Sequence, residues 1–182
     1  IWLLGSCLRL SVPLSARLML TSLVRNESSM SHFLPAFDRT MLLEGGLQLT
    51  EIADDNGGQT YAGLSRRANP LWDGWRFIDR GEVPPIELVR NAYRVGYWNP
   101  IWGDEISDQA TAESIYDFAV NAGPKVAIRC AQAVLGVKTD GVMGKDTIEA
   151  LNECEDFHMA YTVAKINHYA GIVNKNRSQG RF

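Results

Sequence analysis

The sequence has few cysteines, no surplus of basic residues and no long apolar run, and each absence excludes a class of protein. Three cysteines in 182 residues are too few for a disulfide scaffold or a thiolate zinc site. Eighteen lysines and arginines stand against 21 acids, and the net charge of −3 argues against binding to a nucleic-acid backbone. Arginines interrupt the apolar N-terminal stretch before it could span a bilayer, so we expect no stable membrane insertion.

Metal-ligand spacing is also missing. The histidines are separated from one another and from the cysteines, so we expect neither a metal nor another cofactor; they are His32, His158 and His168. Cys130 and Cys154 could form a disulfide if the fold brought them together, but two buried free thiols are the simpler expectation.

The first 29 residues differ in composition from the rest of the chain. The first 26 contain no acid, three arginines and four serines, which is typical of a signal-like or upstream-translated leader. A helical pattern begins only after Met30. We therefore expect a non-domain leader over residues 1–29. Without its three arginines and one glutamate, the remaining chain has a net charge of −5.

Apolar residues recur at helical spacing in several segments that glycine and proline separate. The pattern predicts helices over about 33–43, 86–97, 109–120, 125–135, 145–152 and 156–173. Between the first two, the tetrapeptide Asp-Asn-Gly-Gly at 55–58 has turn chemistry, and its flanks predict one hairpin. No alternation of strands and helices is present. The fold class expected is mainly α (α+β, lysozyme-like), a helical bundle with one small β-hairpin beside a cleft.

The acid Glu44 stands at the predicted end of the first helix, where the hairpin can fold back across it. Asp54, Asp55 and Thr60 lie in that hairpin. A carboxyl group opposite a second polar group suits glycoside hydrolysis, which needs a general acid and a group that stabilises the oxocarbenium ion or directs water. The negative end of the helix dipole is expected to raise the pKa of Glu44 and favour its acid form.

Two stretches carry more specific motifs. Residues 42–65 contain LLEGG and then DDNGGQTYAGLS, and the stretch from residue 118 onward begins FAVNAGPKVAIRC and contains TDGVMGKDT. The first resembles the Glu-Gly-Gly and Asp-x-Gly-Gly-x-Thr sequence of glycoside hydrolase family 108, bacterial and phage N-acetylmuramidases of the lysozyme-like superfamily. The second is similar to the family's predicted peptidoglycan-binding region. The resemblance covers nearly all of residues 33–175.

The resemblance implies roles for three residues. Glu44 matches the catalytic acid, Asp55 the second carboxylate and Thr60 the threonine that follows it. The segment before Asp55 is longer than the family pattern, so Asp54 is the alternative second carboxylate. The implied reaction is hydrolysis of the β-1,4 bond between N-acetylmuramic acid and N-acetylglucosamine. A lytic transglycosylase that uses Glu44 alone and a non-catalytic peptidoglycan-binding protein are the alternatives.

Aromatic residues are dense between positions 61 and 102. Most are expected in the core, because large aromatic rings dominate burial, whereas Tyr97 and Trp98 are expected to line saccharide subsites. Asn121 is the third expected substrate-binding residue; it and Asp117 could instead join the two halves of the protein by hydrogen bonds.

The expected organisation has two regions after the leader. A lysozyme-like catalytic region covers residues 30–122, and a peptidoglycan-binding-like helical region covers 123–182, packs on it and reads as truncated at its C-terminus. The loop Asp140–Thr147 is expected mainly to shape a turn. The expected partner is the glycan strand of peptidoglycan, with no nucleic acid. We expect a monomer that acts on the cell wall in the periplasm or outside the cell, with holin-assisted export as one route.

Overall fold

The computed structural model describes residues 30–43, 46–51 and 58–175. Within these ranges, seven α-helices accompany one small antiparallel sheet, so the fold is mainly α and lysozyme-like, as predicted. No helix in this part of the chain is long and apolar enough to cross a membrane. The expected leader lies outside the described residues.

Helices provide most of the regular structure. They are α1 (Phe33–Leu43), α2 (Trp75–Ile78), α3 (Ile86–Tyr93), α4 (Gln109–Ala122), α5 (Pro124–Leu135), α6 (Lys145–Glu153) and α7 (Phe157–Lys175). A π-helical turn, Arg94–Trp98, continues α3, and a 3₁₀ turn, Gly103–Glu105, precedes α4. The strands are β1 (Leu49–Glu51), β2 (Gln59–Tyr61) and β3 (Leu64–Ser65). The long predicted helices are confirmed, with bounds that differ by a few residues.

The sheet has three strands in the order β1-β2-β3, where the sequence predicted a single hairpin. A two-residue turn at Ala62 and Gly63 divides the segment after the first turn into β2 and β3. Both residues have positive φ, 48° and 77°, which is the backbone form of a tight hairpin turn. Ala-Gly lacks the asparagine or aspartate that usually marks such a turn, so the sequence pattern did not predict it.

The π-helical turn changes which aromatic side chain faces the core. A regular helix would place Tyr97 on the same face as Tyr93, four positions earlier. The wider turn adds one residue, and Trp98, five positions after Tyr93, becomes fully buried while Tyr97 is half-buried.

Helix α4 runs through the core beside α1. Its inward residues are at most 1% exposed: Ala112, Ile115, Tyr116, Phe118 and Ala119. The ring of Phe33 on α1 packs edge-on against Trp98 at 5.8 Å and Tyr116 at 6.1 Å between centroids. Burial of each such ring contributes roughly 1.5–3 kcal/mol, so this cluster fixes α1 against α4.

Local capping explains where α4 begins and ends. The Asp108 carboxylate accepts a hydrogen bond from the Thr111 amide at 2.7 Å, which satisfies one free donor of the first turn. At the other end, Gly123 adopts a φ of 90° that a side chain would disfavour. Pro124 then begins α5 at a position where its missing N–H costs nothing.

Candidate functional site

Three of the predicted site residues, Glu44, Asp54 and Asp55, lie outside the described residues. The structure does describe the elements on either side of them. Helix α1 ends at Leu43, immediately before Glu44, and β2 begins at Gln59, shortly after the predicted turn. The candidate site is therefore bounded by the end of α1 and by the small sheet.

Thr60 occupies the middle of the central strand. It pairs with Thr50 on β1 and with Ser65 on β3, and its carbonyl oxygen accepts a hydrogen bond from the Thr50 hydroxyl at 3.4 Å. Successive side chains of a strand point to opposite faces, so the Thr60 hydroxyl lies on the face opposite to that of buried Tyr61. Two neighbouring strands hold its backbone in position, which suits a residue that must orient water.

An aromatic cluster anchors the sheet to the helices behind it. The Tyr61 ring stacks on Trp72 at 5.9 Å, and Trp72 meets Trp75 edge-on at 5.0 Å. The Trp72 indole N–H donates to the Leu88 carbonyl at 3.1 Å, and burial raises the pKa of Tyr61. These rings serve packing, as expected for most aromatic residues in this stretch.

The structure places Trp98 in the core, where we had expected a saccharide subsite. The ring is fully buried, and its Nε1–H donates to Asp104 Oδ1 at 2.9 Å. The backbone of Gly103 closes over it so tightly that an added Cβ would lie 2.2 Å from the indole. A sugar therefore has no access to this ring. Tyr97 remains half-buried, with its ring centroid 5.4 Å from that of Tyr93.

Asn121 lies exposed in the last turn of α4. Its side-chain amide donates to the Asp117 carbonyl at 2.8 Å, a contact within one helix. The expected bridge between the two halves of the protein is therefore not formed by this amide. Its role as a sugar-binding residue stays a prediction.

Helices α1 and α4 run in the same direction, as two contacts between them indicate. Near their beginnings, the His32 amide donates to Gln109 Oε1 at 2.7 Å. Further along both helices, the Arg39 guanidinium pairs with the Glu113 carboxylate at 3.1 Å. The C-terminal ends of the two helices consequently point toward the same side of the molecule, where the backbone of α1 leads into Glu44.

The loop before α6 is organised by a residue that sequence reasoning missed. Gln132 on α5 is 1% exposed, and its Oε1 accepts from the Gly141 amide at 2.8 Å. Its Nε2 donates to Asp140 Oδ1 and to the Val142 carbonyl, both at 3.0 Å. Gly144 is the N-cap of α6, and the Thr147 hydroxyl accepts from Gln132 at 3.4 Å. The loop is a structural unit built around one buried amide.

Hydrogen bonds within this loop also lower the pKa of Asp140. The amide of Val142 and the side chain of Gln132 donate to Asp140 and hold its pKa at about 2, below the ordinary 3.8.

Cys130 and Cys154 are both free thiols, as expected, although only Cys130 is partly buried and Cys154 is exposed. Burial raises the pKa of Cys130, which makes its reactive thiolate form scarcer. Among the described residues, no group of three or more His, Cys, Asp and Glu side chains is arranged to hold a metal ion.

Comparison with known proteins gives a family match and structural matches. Residues 37–123 match the family model described as Glycosyl hydrolase 108, a range that begins within α1 and ends at Gly123, just after α4. The solved structure of Brucella abortus SagA is similar, at 27% sequence identity and a TM-score of 0.64. That similarity covers 81% of this chain and 86% of SagA. No curated protein sequence matches the chain.

Proposed function

Residues 37–123 belong to glycosyl hydrolase family 108, and on this basis we propose that the protein is an N-acetylmuramidase that acts on peptidoglycan. The bond cleaved is the β-1,4 linkage between N-acetylmuramic acid and N-acetylglucosamine. The observation that carries the proposal is that the matched range spans the end of α1, the small sheet and α4, which together bound the candidate site.

Glu44 is the general acid of the proposed reaction. Its carboxyl proton passes to the glycosidic oxygen as the bond from that oxygen to the sugar's C1 breaks, and positive charge develops on the ring. The position of Glu44 after the last residue of α1 supports this role, because the negative end of a helix dipole disfavours the carboxylate.

Asp55 and Thr60 complete the reaction. Asp55 stabilises the developing positive charge or acts with the Thr60 hydroxyl on the water that attacks C1, with Asp54 as the alternative carboxylate. The paired backbone of Thr60 supports the second task, since both neighbouring strands restrain it. The protein acts as a monomer on the cell wall, in the periplasm or outside the cell.

Product analysis tests the proposal. Purified peptidoglycan is incubated with the protein, and new reducing ends are quantified while mass spectrometry identifies the fragments. Hydrolysis yields reducing N-acetylmuramic acid ends, as we expect. Anhydro-muramic ends would instead identify a lytic transglycosylase, which needs an acid but no attacking water. Binding to peptidoglycan without any product would identify a non-catalytic binding protein.

A further inference from the structure

A polar cavity of about 370 Å³ lies between α1, α4 and α7. Its walls include Arg39 and Thr40 from α1, Ser114 and Asp117 from α4, and Lys165 from α7. Thr40 is three residues before the last residue of α1, or roughly 5 Å along the helix axis. The cavity therefore opens beside the helix end that leads into the proposed catalytic acid.

The cavity contains a lysine ammonium group whose charge no carboxylate balances. Lys165 is half-buried, and its Nζ donates to the Ser114 hydroxyl at 2.9 Å and lies 5.5 Å from the centre of the Tyr161 ring. Among the described residues, no carboxylate lies within ion-pair distance of it. A partly desolvated ammonium group in this setting gains from an incoming anion.

The cavity also contains an acid that the lysine does not neutralise. Asp117 lines the same space and is half-buried, yet Asp117 and Lys165 form no ion pair within 4.0 Å. Arg39 and Glu113, which also line the cavity, pair with each other and leave Lys165 and Asp117 as two opposite charges kept apart. Such an arrangement suits a ligand that carries a carboxylate and N–H donors. A peptide stem has both groups, whereas the glycan of intact peptidoglycan has no free carboxylate, because the lactyl carboxyl of each muramic acid that carries a stem forms the amide bond to it.

We infer that this cavity binds the peptide stem of peptidoglycan, with Lys165 receiving a stem carboxylate and Asp117 accepting from stem N–H groups. The inference rests on the proposed function, because the stem is attached to the muramic acid that the catalytic site would hold. The cavity would thus select glycan strands that still carry their peptides.

Binding measurements test whether the cavity binds the peptide stem, and they do not depend on catalysis. The parent protein is titrated with N-acetylmuramyl-L-alanyl-D-isoglutamine and with the same compound whose carboxylate has been converted to an amide. We expect the amidated compound to bind about tenfold more weakly, the loss typical of a charge-assisted hydrogen bond on a partly exposed group. Lys165→Gln should lower affinity for the first compound to the level of the second, and Lys165→Arg should retain most of it. Equal affinity of the parent for both compounds would overturn the inference, even if a Lys165 variant failed to fold.

Kinetics separate this inference from the proposed function. KM and kcat are measured on intact peptidoglycan and on glycan strands whose stems an amidase has removed and whose freed lactyl carboxylates have then been converted to amides. Lys165→Gln should raise KM about tenfold on the first substrate with kcat unchanged, and should match the parent on the second. Lys175→Gln, an exposed lysine ten residues further along α7, is the matched control and should match the parent on both. An equal rise in KM on both substrates, or no rise on either, contradicts stem binding and leaves the muramidase assignment unaffected. If the parent binds the muramyl peptide through Lys165 but releases no reducing ends, the muramidase assignment is wrong and stem binding stands.

Discussion

The hydroxyl of Tyr93, on α3, donates a hydrogen bond to the carbonyl oxygen of Ala62, in the turn between β2 and β3, at 2.9 Å. Both residues are buried, at 2% and 1% exposure. The contact joins the helical part of the molecule to the β2–β3 turn, which the sequence did not predict. It holds the sheet, and with it Thr60, against α3.

Tyr93→Phe should therefore destabilise the protein without opening a cavity. The Ala62 carbonyl would lose a buried donor, at a cost of about 1–3 kcal/mol. For a chain of this length, each kcal/mol corresponds to a fall of roughly 2–4 °C in the thermal midpoint. Thermal melts of parent and variant measure it, with Tyr169→Phe as the control because the Tyr169 ring is 46% exposed. Equal midpoints for all three proteins would show that the bond contributes nothing to stability.

Glu44→Gln should abolish most lytic activity in a folded protein. Glutamine retains the size and hydrogen bonding of the side chain but cannot deliver a proton, and general acid catalysis contributes roughly 10²–10⁴-fold. The thermal midpoint should hold or rise slightly, because a negative charge is removed from a helix C-terminus. Turbidity loss of peptidoglycan suspensions gives the rate. A Glu44→Gln protein as fast as the parent would refute the assignment of the acid.

Asp55→Asn and Asp54→Asn distinguish the two candidates for the second carboxylate. Asp55→Asn should reduce the lytic rate strongly, since the amide carries no charge to stabilise the oxocarbenium ion. Asp54→Asn is the matched control and should have the smaller effect. The same turbidity assay applies, and the reverse order of the two effects would transfer the role to Asp54.

Gly141→Val should lower stability by more than about 1 kcal/mol, because Gly141 has a φ of 77° that a β-branched residue disfavours. An added Cβ would also lie 2.8 Å from Lys125 Cγ. Thermal melts measure the stability of the Gly141→Val protein.

Lys145→Ala should leave binding to insoluble peptidoglycan unchanged, since Lys145 is exposed and pairs with Glu149 on the surface. A pelleting assay measures binding by the Lys145→Ala protein. Loss of pelleting by a stable Lys145→Ala protein would make the loop a ligand contact.

Low pH should destabilise the Asp140–Thr147 loop, because Asp140 becomes protonated. Its folded pKa of about 2 lies below the ordinary 3.8, so its contribution to stability is complete above about pH 4 and is lost as the pH falls toward 2. The difference in unfolding free energy between the parent and Asp140→Asn should shrink over this interval. Urea unfolding at several pH values measures it. A difference that stays constant from pH 5 to pH 2 would show that the carboxylate is not held by these hydrogen bonds.

Features encoded by neighbouring residues could be predicted from the sequence. Helix α4 is an example, because a capping aspartate, an apolar face and the Gly123–Pro124 pair all lie within the helix or next to it. The Glu44–Thr60 arrangement rests on the same kind of signal, local turn chemistry and motif spacing, and stays a prediction. Each of these signals depends on residues a few positions apart.

Features that depend on distant partners could not be predicted in this way. The π-helical turn is one, because its five residues fit a regular helical pattern equally well and only the packing of Trp98 against Phe33 distinguishes the two. Gln132 is another: its partners lie 8 to 15 residues further on. Its one local signal is a lone amide on the apolar face formed by Ala127, Ile128 and Ala131.

The parallel arrangement of α1 and α4 has a consequence for how the protein folds. The hydrogen bonds that join the two helices connect residues 74 and 77 positions apart, so a loop of that length must close before the end of α1 gains its support. Contacts between residues this far apart cost more chain entropy than the local contacts within either helix. Fragments that stop before Gln109 should therefore lack activity even where α1 itself has formed.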